Sequence, residues 1–206
     1  MIDPKLKNLR HLSGANFLMS EVGAAAEATI SDANKFFIMG LWRTATRDLL
    51  DAVGWSESKI VMRAFDGGAT LQISAPTDAL FSATHLVKAS WDAITSKLAG
   101  DEYDYVAAVD MLGAKITEEL SPLHVALEDK AIQMELTFLG HDDKISIGLG
   151  RGCKVYTTAD LPAVGAVDWE SLYDIPVAMV TGTNGKSTTV RLAAAIGAAA
   201  GKCVGL

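Results

Sequence analysis

One stretch of the chain restricts the possible fold more than any other. Ile175 to Val180 is an unbroken apolar run. Thr181, Gly182, Thr183, Asn184, Gly185, Lys186, Ser187 and Thr188 follow it, and an alanine-rich helical pattern then extends to about Ala200. A short apolar run bounded by turn residues predicts a strand, and one apolar on both faces predicts burial between layers. Strand, glycine loop and helix in that order predict a phosphate-binding loop. Gly182 and Gly185 let backbone N–H groups approach phosphate oxygens where a Cβ would obstruct. Lys186 supplies a positive charge, the Ser187 hydroxyl is placed to hold Mg²⁺, and the helix turns its electropositive end to the anion.

The spacing narrows the class. The common loop has four residues between its glycines, whereas only Thr183 and Asn184 separate Gly182 from Gly185, and position 180 is Val. That disfavours GTPases, adenylate-kinase types and AAA-type ATPases.

The residues Thr181 to Thr188 resemble the ATP loop of the Mur ligase family, which includes folylpolyglutamate synthetases and the C-terminal part of cyanophycin synthetases. Asp174-Ile175-Pro176-Val177 before the loop and Arg191-Leu192-Ala193 after it are similar to members near cyanophycin synthetase. A looser likeness lies in Arg10, Leu12, Gly14 and Asn16. The resemblance implies an ATP-dependent ligase that activates a carboxylate as an acyl phosphate, which an amine attacks to give an amide. The cofactors it implies are ATP and Mg²⁺. Lys186 would be the catalytic group, stabilising the transferring phosphoryl. Gly182, Thr183, Asn184 and Gly185 would form the N–H cradle, and Ser187 would ligate the metal with Thr188 beside it. Catalysis of this kind is positional and electrostatic. The substrates implied are small or peptide-like carboxylates and amines. The family also needs a further acidic Mg²⁺ ligand, a second metal site, a base-binding segment and an amine-delivering domain. The expectation is therefore the N-terminal portion of a longer ligase, not competent for ligation by itself. The competing reading is a non-catalytic binding module with a remnant nucleotide loop.

Upstream, the pattern predicts an α+β domain over residues 1–157, a linker over 158–174, and the first β-loop-α unit of an α/β nucleotide domain over 175–206. An irregular start leads to strands at Asn16 to Met19 and Ala24 to Ile30. A helix capped by Ser31 or Asp32 follows, with a stripe through Phe37, Leu41, Ala45, Leu49 and Val53 and a stop at Gly54. Asp66-Gly67-Gly68 predicts a hairpin turn between strands at Lys59 to Phe65 and Ala69 to Ser74. Thr77 is expected to cap a helix that ends at Gly100. A third helix spans about Tyr103 to Leu120, and Ser121-Pro122 starts a fourth. Strands are expected at Glu135 to Leu139, Lys144 to Leu149 and Lys154 to Thr157, with His141-Asp142-Asp143 as a turn.

Composition excludes several classes. The chain has 206 residues, 50% hydrophobic and 21% charged, with a net charge of -7. That describes a folded chain with no basic run for nucleic acid. Neither a signal peptide nor a membrane-spanning run is evident, so the expected setting is the cytoplasm without membrane or nucleic-acid partners. Cys153 and Cys203 match no metal spacing. Gly148 to Gly152 reads G-x-G-x-G and not the dinucleotide pattern. His11, His85 and His124 are scattered, and Glu118-Glu119 and Glu128-Asp129 read as solvated helix faces.

Overall fold

A computed structural model describes residues 4–141 and 143–205, and shows an α+β fold with two antiparallel sheets. The first sheet contains β1 (Lys5–Leu12), β2 (Gly23–Thr29), β3 (Ile60–Phe65) and β4 (Gly68–Ser74), in the order β1-β2-β4-β3. Helices α1 (Lys35–Ala52) and α2 (Leu80–Ala99) bury one face of it, and α3 (Tyr105–Glu119) packs on α2. The second sheet is smaller: β5 (Phe138–His141), β6 (Lys144–Ile147) and β7 (Lys154–Thr157), with α4 (Pro122–Gln133) beside it. A last helix, α5, spans Lys186–Ala199.

Strand β2 is nearly all alanine, a residue of low strand propensity. It forms because β1 and β4 pair with it on either side. Ala24, Ala26 and Ala28 point into the main core with Leu71 and Ile73 of β4, opposite Trp42, Leu49, Leu86 and Trp91. Glycine opens the strand because a Cβ on Gly23 would come 1.9 Å from the Ile73 carbonyl oxygen. The hairpin between β3 and β4 forms as expected, with Phe65 paired to Gly68 across Asp66 and Gly67, and Gly67 at φ 77°.

Several expectations need correction. Asn16 to Met19 is a bend and not a strand: the Asn16 side-chain oxygen accepts from the N–H groups of Leu18 and Met19, a local alternative to a ladder. The first strand is β1 instead. Its Leu6, Leu9 and Leu12 do not alternate, because the register shifts between Lys7 and Arg10 around Asn8, which sits at φ 51°. In α1 the buried positions are Ile38, Met39, Trp42, Thr46, Leu49 and Leu50, while Phe37 is 63% exposed. Leu41, Ala45, Leu49 and Val53 of the expected stripe do pack on the core; a strict four-residue repeat drifts about 40° per step around a helix of 3.6 residues per turn, so its first member, Phe37, falls outside. Neither Ser31 nor Asp32 caps α1; Asn34 holds that position without a side-chain bond. Asp32 instead receives the Gly67 N–H and pairs with Lys35 at 2.5 Å.

Thr77 does not cap α2 either. The Glu119 carboxylate, at the end of α3, accepts from the Phe81 and Ser82 N–H groups at 2.7 Å each and from the Ser82 hydroxyl at 2.6 Å. The α4 start forms as expected, with Pro122 in the first turn and Ser121 accepting from His124 N–H at 3.4 Å. Part of the expected His141-Asp142-Asp143 turn, Asp142, lies outside the described residues.

A second, smaller core joins Leu127 and Ala131 of α4 to Ile145 and Ile147 of β6. Residues 158–174, expected as a linker, pack on this core through Leu161, Val164, Val167, Trp169 and Leu172. Trp169 Nε1 donates to the Val164 carbonyl at 2.8 Å, and Tyr173 N–H to the Gly152 carbonyl at 3.1 Å. Aperiodic sequence here means short 3₁₀ turns that lay a few apolar side chains on this core. Among the described residues no helix is long and apolar enough to cross a membrane.

Candidate functional site

The loop begins after a segment that departs from its expected form. Ile175 to Val180 belongs to no sheet, and Val177 and Met179 are 66% and 93% exposed. A strand exists only through ladder partners, and none of the described strands pairs with this run. Helix α5 begins at Lys186 as the pattern predicts, but none of its residues is buried.

The loop itself is shaped by two unusual backbone angles. Gly182 has φ 149° and Gly185 has φ 79°, both in the region that disfavours a side chain. Space is not the constraint: a Cβ on Gly182 would meet only the Asn184 carbonyl at 3.7 Å, and one on Gly185 nothing within 4 Å. Conformation alone calls for glycine at both positions. Gly185 caps α5 without a side-chain bond, and its carbonyl takes the first helical hydrogen bond, from Thr189 N–H at 2.9 Å. The N–H groups of Lys186, Ser187 and Thr188 therefore lie in the first turn, where no helical acceptor exists. No acidic side chain occupies that turn. The Lys186 ammonium folds back across the loop and donates to the Gly182 carbonyl. Thr183, Asn184, Ser187 and Thr188 are all exposed around it. The loop thus gathers one cation, the first N–H groups of a helix and the hydroxyls of Thr183, Ser187 and Thr188, with none of the described residues burying them. Mg²⁺ would find the Ser187 hydroxyl here, and an oxygen donor suits that hard ion.

A second concave region lies between the two cores. It is a cleft of about 290 Å³ bordered by the ends of β1, α2, α3, α4 and the second sheet. The fold brings two of the scattered histidines to it, each packed beside a phenyl ring. His11 lies 4.7 Å from Phe81, and His124 lies 5.2 Å from Phe138, edge to face. The acids read as solvated helix faces also divide. Glu119 and Glu128 line the cleft and are bonded, Glu128 to the Thr77 hydroxyl at 2.7 Å. His85 stays apart on α2, where burial first and the Lys115 charge second hold its imidazole below the ordinary value, against the opposing Glu119 charge. No sequence spacing signals this cleft, because its residues come from several elements spread between His11 and Thr158. No group of three or more metal-ligating side chains occurs among the described residues.

No protein-family model matches the chain, and no curated protein matches it with statistical significance.

Proposed function

We propose that the chain is the N-terminal part of an ATP-dependent ligase, one that activates a carboxylate as an acyl phosphate and joins it to an amine. The observation that carries the reading is the loop at 181–188. Glycines stand at its two left-handed backbone positions, and Lys186 bridges it at the start of a helix whose first N–H groups have no helical acceptor. A nucleotide triphosphate suits such a loop. Its terminal oxygens would replace the Gly182 carbonyl as partners of the Lys186 ammonium and receive the amides of Gly185 to Ser187. Ser187 would hold Mg²⁺, and Thr183, Asn184 and Thr188 would complete the polar rim. Lys186 would then stabilise charge building on the transferring phosphoryl group.

The test is titration calorimetry with Mg·ATP. Saturable binding is expected, and Lys186→Ala should weaken it by roughly tenfold or more, because a charge-assisted contact to phosphate is lost. Equal affinity in the variant, or no ATP binding by either protein, sinks the nucleotide reading. The exposure of 175–180 and α5 favours one alternative, a binding module whose cleft does the work while the loop is a remnant. It predicts ligand binding with no response to nucleotide.

A further inference from the structure

The cleft between the two cores has charged groups of both signs and an apolar floor. Phe81, Phe138 and Val22 supply the apolar surface. Two of its acids are already committed to helix starts. Glu119 takes the first N–H groups of α2, and Asp78 takes Ser121 N–H, the residue that caps α4, at 2.9 Å. A carboxylate at a helix N-terminus is partly neutralised by the dipole it faces. Glu128 differs, since it projects from the second turn of α4 and its one side-chain partner is the neutral Thr77 hydroxyl, through Oε2. Its charge is not cancelled by a cation among the described residues. Lys144, at the start of β6, is the one lysine or arginine among the residues that line the same space. Gly140 completes the shape. A Cβ there would meet only the His124 ring, at 3.8 Å, so the absence of a side chain leaves room above the imidazole.

We propose that this cleft is a ligand site for a small zwitterion, a molecule with an ammonium and a carboxylate flanking a modest apolar body. A free amino acid is of this class. Glu128 receives the ammonium, Lys144 the carboxylate, and the phenyl rings the apolar part. A volume of about 290 Å³ is at the small end for ligand pockets, which excludes a nucleotide or a polymer segment from being enclosed. Elements that pack on each of the two cores border the cleft, a common position for ligand sites. The inference does not depend on the glycine loop.

The experiment is a titration of the whole chain, without nucleotide, against each of the twenty standard amino acids, followed by calorimetry. At least one should bind saturably below about 10 mM, a weak but specific affinity. Its N-acetyl and its amide forms should each bind about tenfold more weakly, since each loses one charge-assisted contact. Glu128→Gln, which keeps the bond from Thr77, should weaken the parent but not the N-acetyl form. Lys144→Met should weaken the parent but not the amide. Gly140→Ala should abolish binding by filling the space above His124 while leaving the thermal midpoint within a few degrees of the parent. Binding by none of the twenty overturns the proposal. So does equal binding of the blocked forms, or binding untouched by Gly140→Ala.

Discussion

At Gly23 a single hydrogen decides whether β2 can pair with β4. Replacing it by alanine places a methyl against the Ile73 carbonyl at a separation no real Cβ tolerates, and both atoms belong to backbone or its branch. Gly23→Ala should destabilise the chain by about 3 kcal/mol, read as a lower urea midpoint. Gly182→Ala differs in kind, since only its backbone angle and no steric neighbour demands glycine. It should distort the loop and leave global stability nearly unchanged. His85 gives a pH-dependent effect. Burial keeps its imidazole below the ordinary value, so the folded state favours the neutral ring. That contribution is complete above the ordinary imidazole pKa of about 6.5 and is lost as pH falls through the lowered folded value. The thermal midpoint of the parent should therefore fall more between about pH 7.5 and 5 than that of His85→Asn. The same magnitude of fall in both proteins would remove His85 from the account.

Among the helices, the starts reveal where local sequence stops being informative. Asp104 caps α3 through the Ala107 N–H at 2.9 Å, and Ser121 caps α4, both by side chains three residues ahead of the donor. Such caps are legible because donor and acceptor are close in sequence. The α2 start takes its acceptor from Glu119, 37 and 38 positions away, and Thr77 is drawn off to Glu128. Glu119→Ala should cost about 2 kcal/mol, because it strands two N–H groups and a nearly buried hydroxyl at once. Thr77→Ala should cost less than half of that, and urea denaturation of the two variants separates them. The hairpin of β3 and β4 was readable for the reason that local caps are: Asp66 and Gly67 make the turn from adjacent residues. Strand β1 was hidden because its bulge at Asn8 breaks the alternation a strand is recognised by.

On the scale of the molecule, stability is divided unevenly. The larger core joins α1, α2 and the first sheet, the smaller joins α4 and the second, and α5 touches neither core. A 14-residue helix with no buried residue is marginal in water. Amide exchange in α5 should therefore run at least about 100-fold faster than in α1 and α2, as followed by mass spectrometry. If added Mg·ATP slows exchange at 182–190, the nucleotide reading gains a second and independent support; protection of α5 equal to that of α1 would contradict the exposed arrangement. The sequence by itself determined what depends on neighbours along the chain: the glycine loop and the helix after it, the hairpin turn, the Ser121-Pro122 start, and the α+β alternation. Tertiary structure alone decided that Phe37 of α1 lies outside the core, where Glu119 and Thr77 bond, that 158–174 packs, that 175–180 stays unpaired, and that His11 and His124 share a cleft with Glu128. The division has one physical cause. Backbone angles and short-range hydrogen bonds are written in a few consecutive residues, whereas burial and convergence depend on which distant surfaces come to exclude water together.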